Sequence, residues 1–238
     1  MAGLAASVAG LVAPTAAAAP GGDRLVFLIP GQEPVPGTLA LDMYKDMDAR
    51  LTGLGYKVVL VPTGGLDLVR ESYVVKDAVD NATRGANVES IALVGHSYGA
   101  LSARNYIRAL GGVDVVDTYI SIGAPQYGTP GGCFQLPGSG FDGCPVTPFI
   151  NSLNTGDDTP GNINYYSIRG TTEPVDGRLD GGQCRMTPVP DVNHLSEVAD
   201  PRVIDLTVSA LQGNCVGTFV NDPDGSISVG QTLLPGPN

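Results

Sequence analysis

Ile91-Ala92-Leu93-Val94-Gly95-His96-Ser97-Tyr98-Gly99 carries four apolar residues straight into a Gly-x-Ser-x-Gly turn, and Ala100, Ala103, Ile107 and Leu110 follow at helical spacing. That order is strand, sharp turn, helix. Such a turn holds its serine in a strained backbone conformation, so that the Ser97 hydroxyl stands clear above the sheet. Gly95 and Gly99 are the positions where a side chain would collide with the neighbouring strand or helix. The five-residue pattern is weak alone, and the flanking strand and helix give it weight. The plain alternative is an ordinary buried turn serine.

On either side the same alternation continues. Arg24 to Ile29 is an apolar run of the kind buried on both faces of a parallel sheet, ending at Pro30-Gly31-Gln32. Leu39, Met43, Met47, Leu51 and Leu54 are spaced for a helix, and Lys57 to Val61 reads as a strand stopped by Pro62. Leu68, Val75, Val79 and Ala82 mark a second helix ending near Gly85. The spacing predicts strands over Val115–Ile122 and Ile163–Ile168. Asp200-Pro201 reads as an N-cap with proline in the first turn, opening a helix through Leu211. Strands alternating with helices imply a mostly parallel central sheet wrapped by helices, an α/β fold. Between Pro125 and Asn164 the regular pattern disappears, and so long a connection in a compact domain is usually functional. It would lie over the strand ends.

The chain has 238 residues, enough for one domain with a sizeable core. Acidic residues outnumber basic ones, 24 to 13, and no Lys/Arg cluster interrupts that balance. A net charge of −11 argues against nucleic acid and disfavours anionic membrane surfaces. The 33 glycines and 19 prolines point to long ordered loops. Met1 to Pro20 is apolar and ends in small residues, which reads as a secretory signal over residues 1–19. It lacks the usual Lys/Arg start, so the expectation is an incomplete or trimmed signal. The run falls short of the ~20 strongly apolar residues a spanning helix needs, so no transmembrane anchor is expected. The expected layout is a domain over residues 20–215 and a tail over 216–238. Four cysteines suit an exported, extracellular protein. The expected pairing is sequential, Cys133 with Cys144 and Cys184 with Cys215. A zinc site does not fit these spacings and two histidines.

A serine needs a base. His96 adjoins Ser97 in the tight turn and reads as structural, which leaves His194, in the polar loop Asp191 to Ser196. The bland reading of His194 is a solvent-facing loop residue. An acid must orient the imidazole, and it should follow the Ile163–Ile168 strand. Glu173, Asp176 and Asp180 are the candidates there. The order serine, acid, histidine is that of α/β-hydrolases. Backbone N–H groups of Gln32 and Tyr98 are placed to bind an oxyanion.

With these residues in view, Arg24 to Leu211 resembles the secreted bacterial lipases of the class-2 type, compact α/β-hydrolases with no large cap domain. The likeness rests on Gly-His-Ser-Tyr-Gly at 95–99, Gly-Ala-Pro-Gln-Tyr-Gly-Thr at 123–129, the run from Phe149 to Gly161, Tyr165 to Ile168 and the loop around His194. Ala124 and Gln126 depart from the family's usual Gly-Thr-Pro-His-x-Gly-Thr, and Pro30 stands where histidine is common. The family's acid falls five residues after the isoleucine matched by Ile168, which lands on Glu173 where aspartate is the norm, with Asp176 as the alternative acid. The resemblance implies ester hydrolysis through an acyl-enzyme on a lipid or other ester substrate, with no cofactor. Some members hold a structural calcium, and Asp157 and Asp158 raise the idea, but no metal is expected. A cutinase-like polyesterase or an acyltransferase is the alternative on this fold, and a catalytically dead binding protein is the alternative of another class. A monomer is expected.

Overall fold

The computed structural model describes residues 21–33, 40–175 and 177–227. The signal expected over residues 1–19 lies outside them, as does Asp176. Seven strands form one sheet: β1 (Asp23–Ile29), β2 (Lys57–Leu60), β3 (Val88–His96), β4 (Thr118–Ile122), β5 (Asn164–Ile168), β6 (Gly181–Met186) and β7 (Gly217–Asp222), in the order β2-β1-β3-β4-β5-β6-β7. The first six run parallel, and β7 closes the edge antiparallel to β6.

Because side chains alternate along a strand, each apolar run feeds two cores. Val26, Leu28, Ala92, Val94, Ile120 and Ile122 face one side of the sheet, where helices α1 (Ala40–Gly53) and α5 (Pro201–Leu211) pack. Leu25, Phe27, Ile29, Ile91, Leu93 and Tyr119 face the other side, covered by α2 (Leu68–Thr83) and α3 (Tyr98–Ala109). Asp200 caps α5 by accepting from the Arg202 N–H at 2.9 Å, with Pro201 in the first turn.

Three stretches differ from the sequence reading. Val115 does not begin a strand. Gly112–Asp114 forms a 3₁₀ turn, and the Asp117 carboxylate takes the Ile91 N–H at 2.8 Å, so β4 starts only at Thr118. The region from Pro125 to Asn164 is not irregular throughout. It contains 3₁₀ turns at Pro130–Phe134 and Phe141–Gly143 and a short helix, α4 (Pro148–Leu153). Finally, β7 lies in the stretch read as a tail, yet it is hydrogen-bonded into the sheet along its length. Both cysteine pairs form: Cys133–Cys144 closes the loop between the two 3₁₀ turns, and Cys184–Cys215 ties β6 to the segment after α5. No helix of the described residues is long and apolar enough to cross a membrane.

The long loop is fastened from within by Arg104 of α3, which has no solvent exposure. Its guanidinium donates to Gln126 Oε1 at 2.6 Å and to the Leu153 carbonyl and Asn154 Oδ1, each at 2.5 Å. Burial lowers its pKa, a cost that these acceptors offset.

Candidate active site

Ser97 sits between β3 and α3 with φ 52° and ψ −127°, a conformation that is rare for a residue with a side chain. The turn is this sharp because its flanks are glycine. A Cβ on Gly95 would meet the Ala100 N at 2.7 Å, and one on Gly99 would strike the Pro30 and Ile29 carbonyls. The strand end, the helix start and the end of β1 are thus packed backbone to backbone. Tyr98, the first residue of α3, presents one of the amides a helix leaves without an internal partner.

His194 opens a 3₁₀ turn (His194–Ala199) that Asn193 caps by accepting from the Leu195 N–H at 2.9 Å. Just before it, Asp191 takes a left-handed φ of 57°, which a short acidic side chain tolerates. The loop carrying Glu173 is bound to the same segment: Thr172 Oγ1 donates to the Val192 carbonyl at 2.9 Å, and Thr171 N to the Val189 carbonyl at 2.9 Å. These ties place the two side chains against one another.

The result is a continuous hydrogen-bonded chain. The Ser97 hydroxyl lies 3.0 Å from His194 Nε2, and His194 Nδ1–H donates to Glu173 Oε1 at 2.8 Å. Glu173 is buried, while Ser97 and His194 are half-buried at the floor of a cavity of about 320 Å³. Gln32, Tyr98, Pro125, Gln135, Pro174 and Val175 are among its walls. The Gln32 side chain is engaged elsewhere, donating to the Ser139 carbonyl at 3.1 Å and accepting from Gln135 Nε2 at 2.9 Å. Asp180 is not brought to His194; it accepts from Gly225 N at 2.7 Å and Ser226 Oγ at 2.5 Å and secures the turn after β7. Asp157 caps a turn through the Thr159 N–H, and Asp158 accepts from Asp180 N at 3.1 Å.

Two neighbours matter electrostatically. His96 is buried behind His194, its ring centroid 4.8 Å from the other ring, and its Nε2–H donates to the His194 carbonyl at 3.0 Å. Burial, then the charge that His194 can carry, push the His96 pKa down to about 3, so the ring is neutral. Glu197, three residues after His194, has no exposure, and its carboxylate lies 3.5 Å from His194 Nδ1. Burial alone would lower the His194 pKa, but Glu173 and Glu197 outweigh it and raise it to about 9. Sequence reasoning missed Glu197. The signal was present as His-x-x-Glu at the mouth of a turn. Among the described residues, His96, His194 and Glu197 form the one group with metal-ligand chemistry, their ligand atoms all within 4.8 Å. The histidine N–H groups are donated to oxygen acceptors, His96 Nε2–H to the His194 carbonyl and His194 Nδ1–H to Glu173.

The sheet with its flanking helices recurs in solved structures. Aspergillus fumigatus lipase B superposes with a TM-score of 0.62 at 18% identity, over 90% of this chain and 57% of its own. The mature form of Bacillus licheniformis lipase BlEst2 gives 0.64 at 14% identity, over 84% of this chain and 96% of its own. The fold is an α/β-hydrolase. Est1E from Butyrivibrio proteoclasticus shares it with a TM-score of 0.54 at 14% identity, over 82% of this chain and 87% of its own. The chain spans little more than half the length of the Aspergillus lipase. No protein-family model matches the chain, and no curated sequence does. At these identities the likeness is one of fold, and the chemistry must be argued from the site.

Proposed function

We propose that the chain is a serine hydrolase of carboxylic esters, of the lipase or carboxylesterase kind. The observation that carries this is the chain Ser97–His194–Glu173 beginning at a strained serine that lines a cavity. Ser97 attacks the ester carbonyl and forms an acyl-enzyme as its proton passes to His194 Nε2. Glu173 holds the Nδ1–H tautomer and stabilises the imidazolium. The developing oxyanion takes hydrogen bonds from the Gln32 and Tyr98 backbone amides, donors of a kind whose loss typically costs ~10²–10³ in turnover. His194 returns the proton to the leaving alcohol, and water then repeats the cycle to release the acid.

Apolar esters suit the surroundings. Phe134 and Leu136, exposed at 90% and 72%, flank the cavity residue Gln135, and Leu195, at 68%, follows His194. The net charge of −11 favours neutral or zwitterionic substrates. Two disulfides support an exported protein, and a monomer completes the reading. The test is stoichiometric labelling by a fluorophosphonate, with complete loss in Ser97→Ala and strong loss in His194→Ala. A wild-type protein that stays unlabelled is a binding module, not an enzyme. Hydrolysis of p-nitrophenyl esters from short to long acyl chains, with a polyester film and an added acceptor alcohol, sorts lipase, esterase, polyesterase and acyltransferase.

A further inference from the structure

Glu197 is the most deeply buried acid among the described residues, and the acyl-transfer scheme makes no use of it. Burying a carboxylate is costly unless it is partnered. In a 3₁₀ turn, residues i and i+3 eclipse, so Glu197 stands directly against His194 in the turn His194–Ala199. One oxygen, Oε1, accepts from Gly170 N at 2.7 Å. The other, Oε2, has no hydrogen bond of its own and faces two ring nitrogens, His194 Nδ1 at 3.5 Å and His96 Nε2 at 3.8 Å. Space has been kept for it: Gly123, at φ 54°, lies where any Cβ would strike this carboxylate. Glu173 approaches the same Nδ1–H at 2.8 Å, and its Oε2 is likewise buried without a partner.

One N–H therefore meets two carboxylates, one bonded and one in waiting. We propose that Glu197 is a second carboxylate partner of His194, a positioning residue that shares Nδ1–H with Glu173 and stabilises the imidazolium. Its catalytic meaning rests on the hydrolase reading; the pairing itself does not. While the ring is neutral, the 2.8 Å bond to Glu173 dominates. Once the ring is charged, a second anion 3.5 Å from Nδ1 adds an attraction that the neutral ring lacks. The other ionisable groups around the pair are few. His96 stays neutral, Arg169 of the Glu173 loop donates to the Glu173 carbonyl at 3.0 Å, α1 buries only the Tyr44 phenol, and α5 buries no ionisable side chain. Burial and the Glu173 charge raise the Glu197 pKa, while His194 and the Gly170 N–H oppose them.

The experiment is an NMR titration of the histidine rings, of which the chain has two. Glu197→Gln keeps the shape and an oxygen for Gly170 but removes the charge. It should lower the His194 midpoint by about one pH unit, and Glu197→Asp should recover most of that shift. The acidic limb of kcat/KM should move down by the same amount. An unmoved His194 midpoint in Glu197→Gln overturns the pairing. If that variant does not fold, the wild type decides: the Glu197 carboxyl carbon must step at the pH where the His194 ring steps, and a step elsewhere overturns it. These readings need no turnover, so they remain decisive even if Ser97 proves unreactive to fluorophosphonate, the result that removes the hydrolase reading instead.

Discussion

Replacing Gly99 by alanine asks how closely α3 must lie on the end of β1 for Ser97 to work. A Cβ at this position would stand 2.8 Å from the Pro30 carbonyl carbon and nearer still to its oxygen. Ordinary carbon contacts lie at ~3.5–4.0 Å, so the helix must retreat by about 1 Å. It cannot rotate a side chain out of the way, because the obstacle is backbone. Overpacking of this kind costs ~1–3 kcal/mol, and in a domain of this size each kcal/mol lowers Tm by about 2–4 °C. The expected loss is ~6–12 °C if the upper figure applies. Activity should suffer more than stability. The same movement carries Ser97 and the Tyr98 amide away from the Gln32 segment, and a 1 Å misplacement can cost ~10²-fold in rate. Gly53 in α1 supplies the control, since a Cβ there meets nothing within 4 Å and φ is not left-handed; Gly53→Ala should gain ~0.4–1 kcal/mol. Thermal unfolding and kcat/KM on a short p-nitrophenyl ester measure both variants. A Gly99→Ala protein with wild-type Tm and wild-type kcat/KM would refute the close-packing argument for the turn.

Arg104→Met removes the donor that three acceptors of the long loop share; at ~1–3 kcal/mol for each buried acceptor left unpaired, at least ~3 kcal/mol of stability should disappear in a urea titration. The raised His194 pKa favours the folded state below the unfolded value of ~6.5, and that contribution is lost as pH rises through about 9. The neutral base needed for attack accumulates over the same window. Wild-type stability relative to His194→Gln should therefore fall from pH 6.5 to 9.5 while kcat/KM climbs, and parallel trends would contradict the assignment of His194 as base. Cys133→Ser with Cys144→Ser frees the loop that forms one cavity wall and should cost ~3 kcal/mol. KM should rise in this variant while Ser97 labelling persists, measured by thermal unfolding and ester kinetics.

Much of this fold was legible because its central strands are buried on both faces and read as unbroken apolar runs, and because the serine turn needs glycine on both sides. The capped start of α5 was equally plain in Asp200-Pro201. The last two strands, β6 and β7, were not. Gly-Gly-Gln-Cys-Arg-Met has no apolar run, since β6 needs none beside the short antiparallel β7, most of which is exposed. At six residues α4 is too short for a helical period to show. Ser97 and His194, which lie 3.0 Å apart, were traceable through motif and order along the chain, while Glu173 was singled out from Asp176 and Asp180 only by the family resemblance. Glu197 was not traceable, because in a sequence a carboxylate one turn after a loop histidine looks like any solvated acid; only the packing of Gly123 and Gly170 around it reveals that water is shut out.

Gln32 has its side chain clamped to Gln135 and Ser139, and the donor proposed for the oxyanion is the backbone amide of this same residue. A guest too bulky for the cavity must push the Cys133–Cys144 loop outward, and this clamp then drags the amide off target. Poor substrates would accordingly be admitted and bound yet turned over slowly, so that discrimination by size shows up in kcat before it shows up in KM.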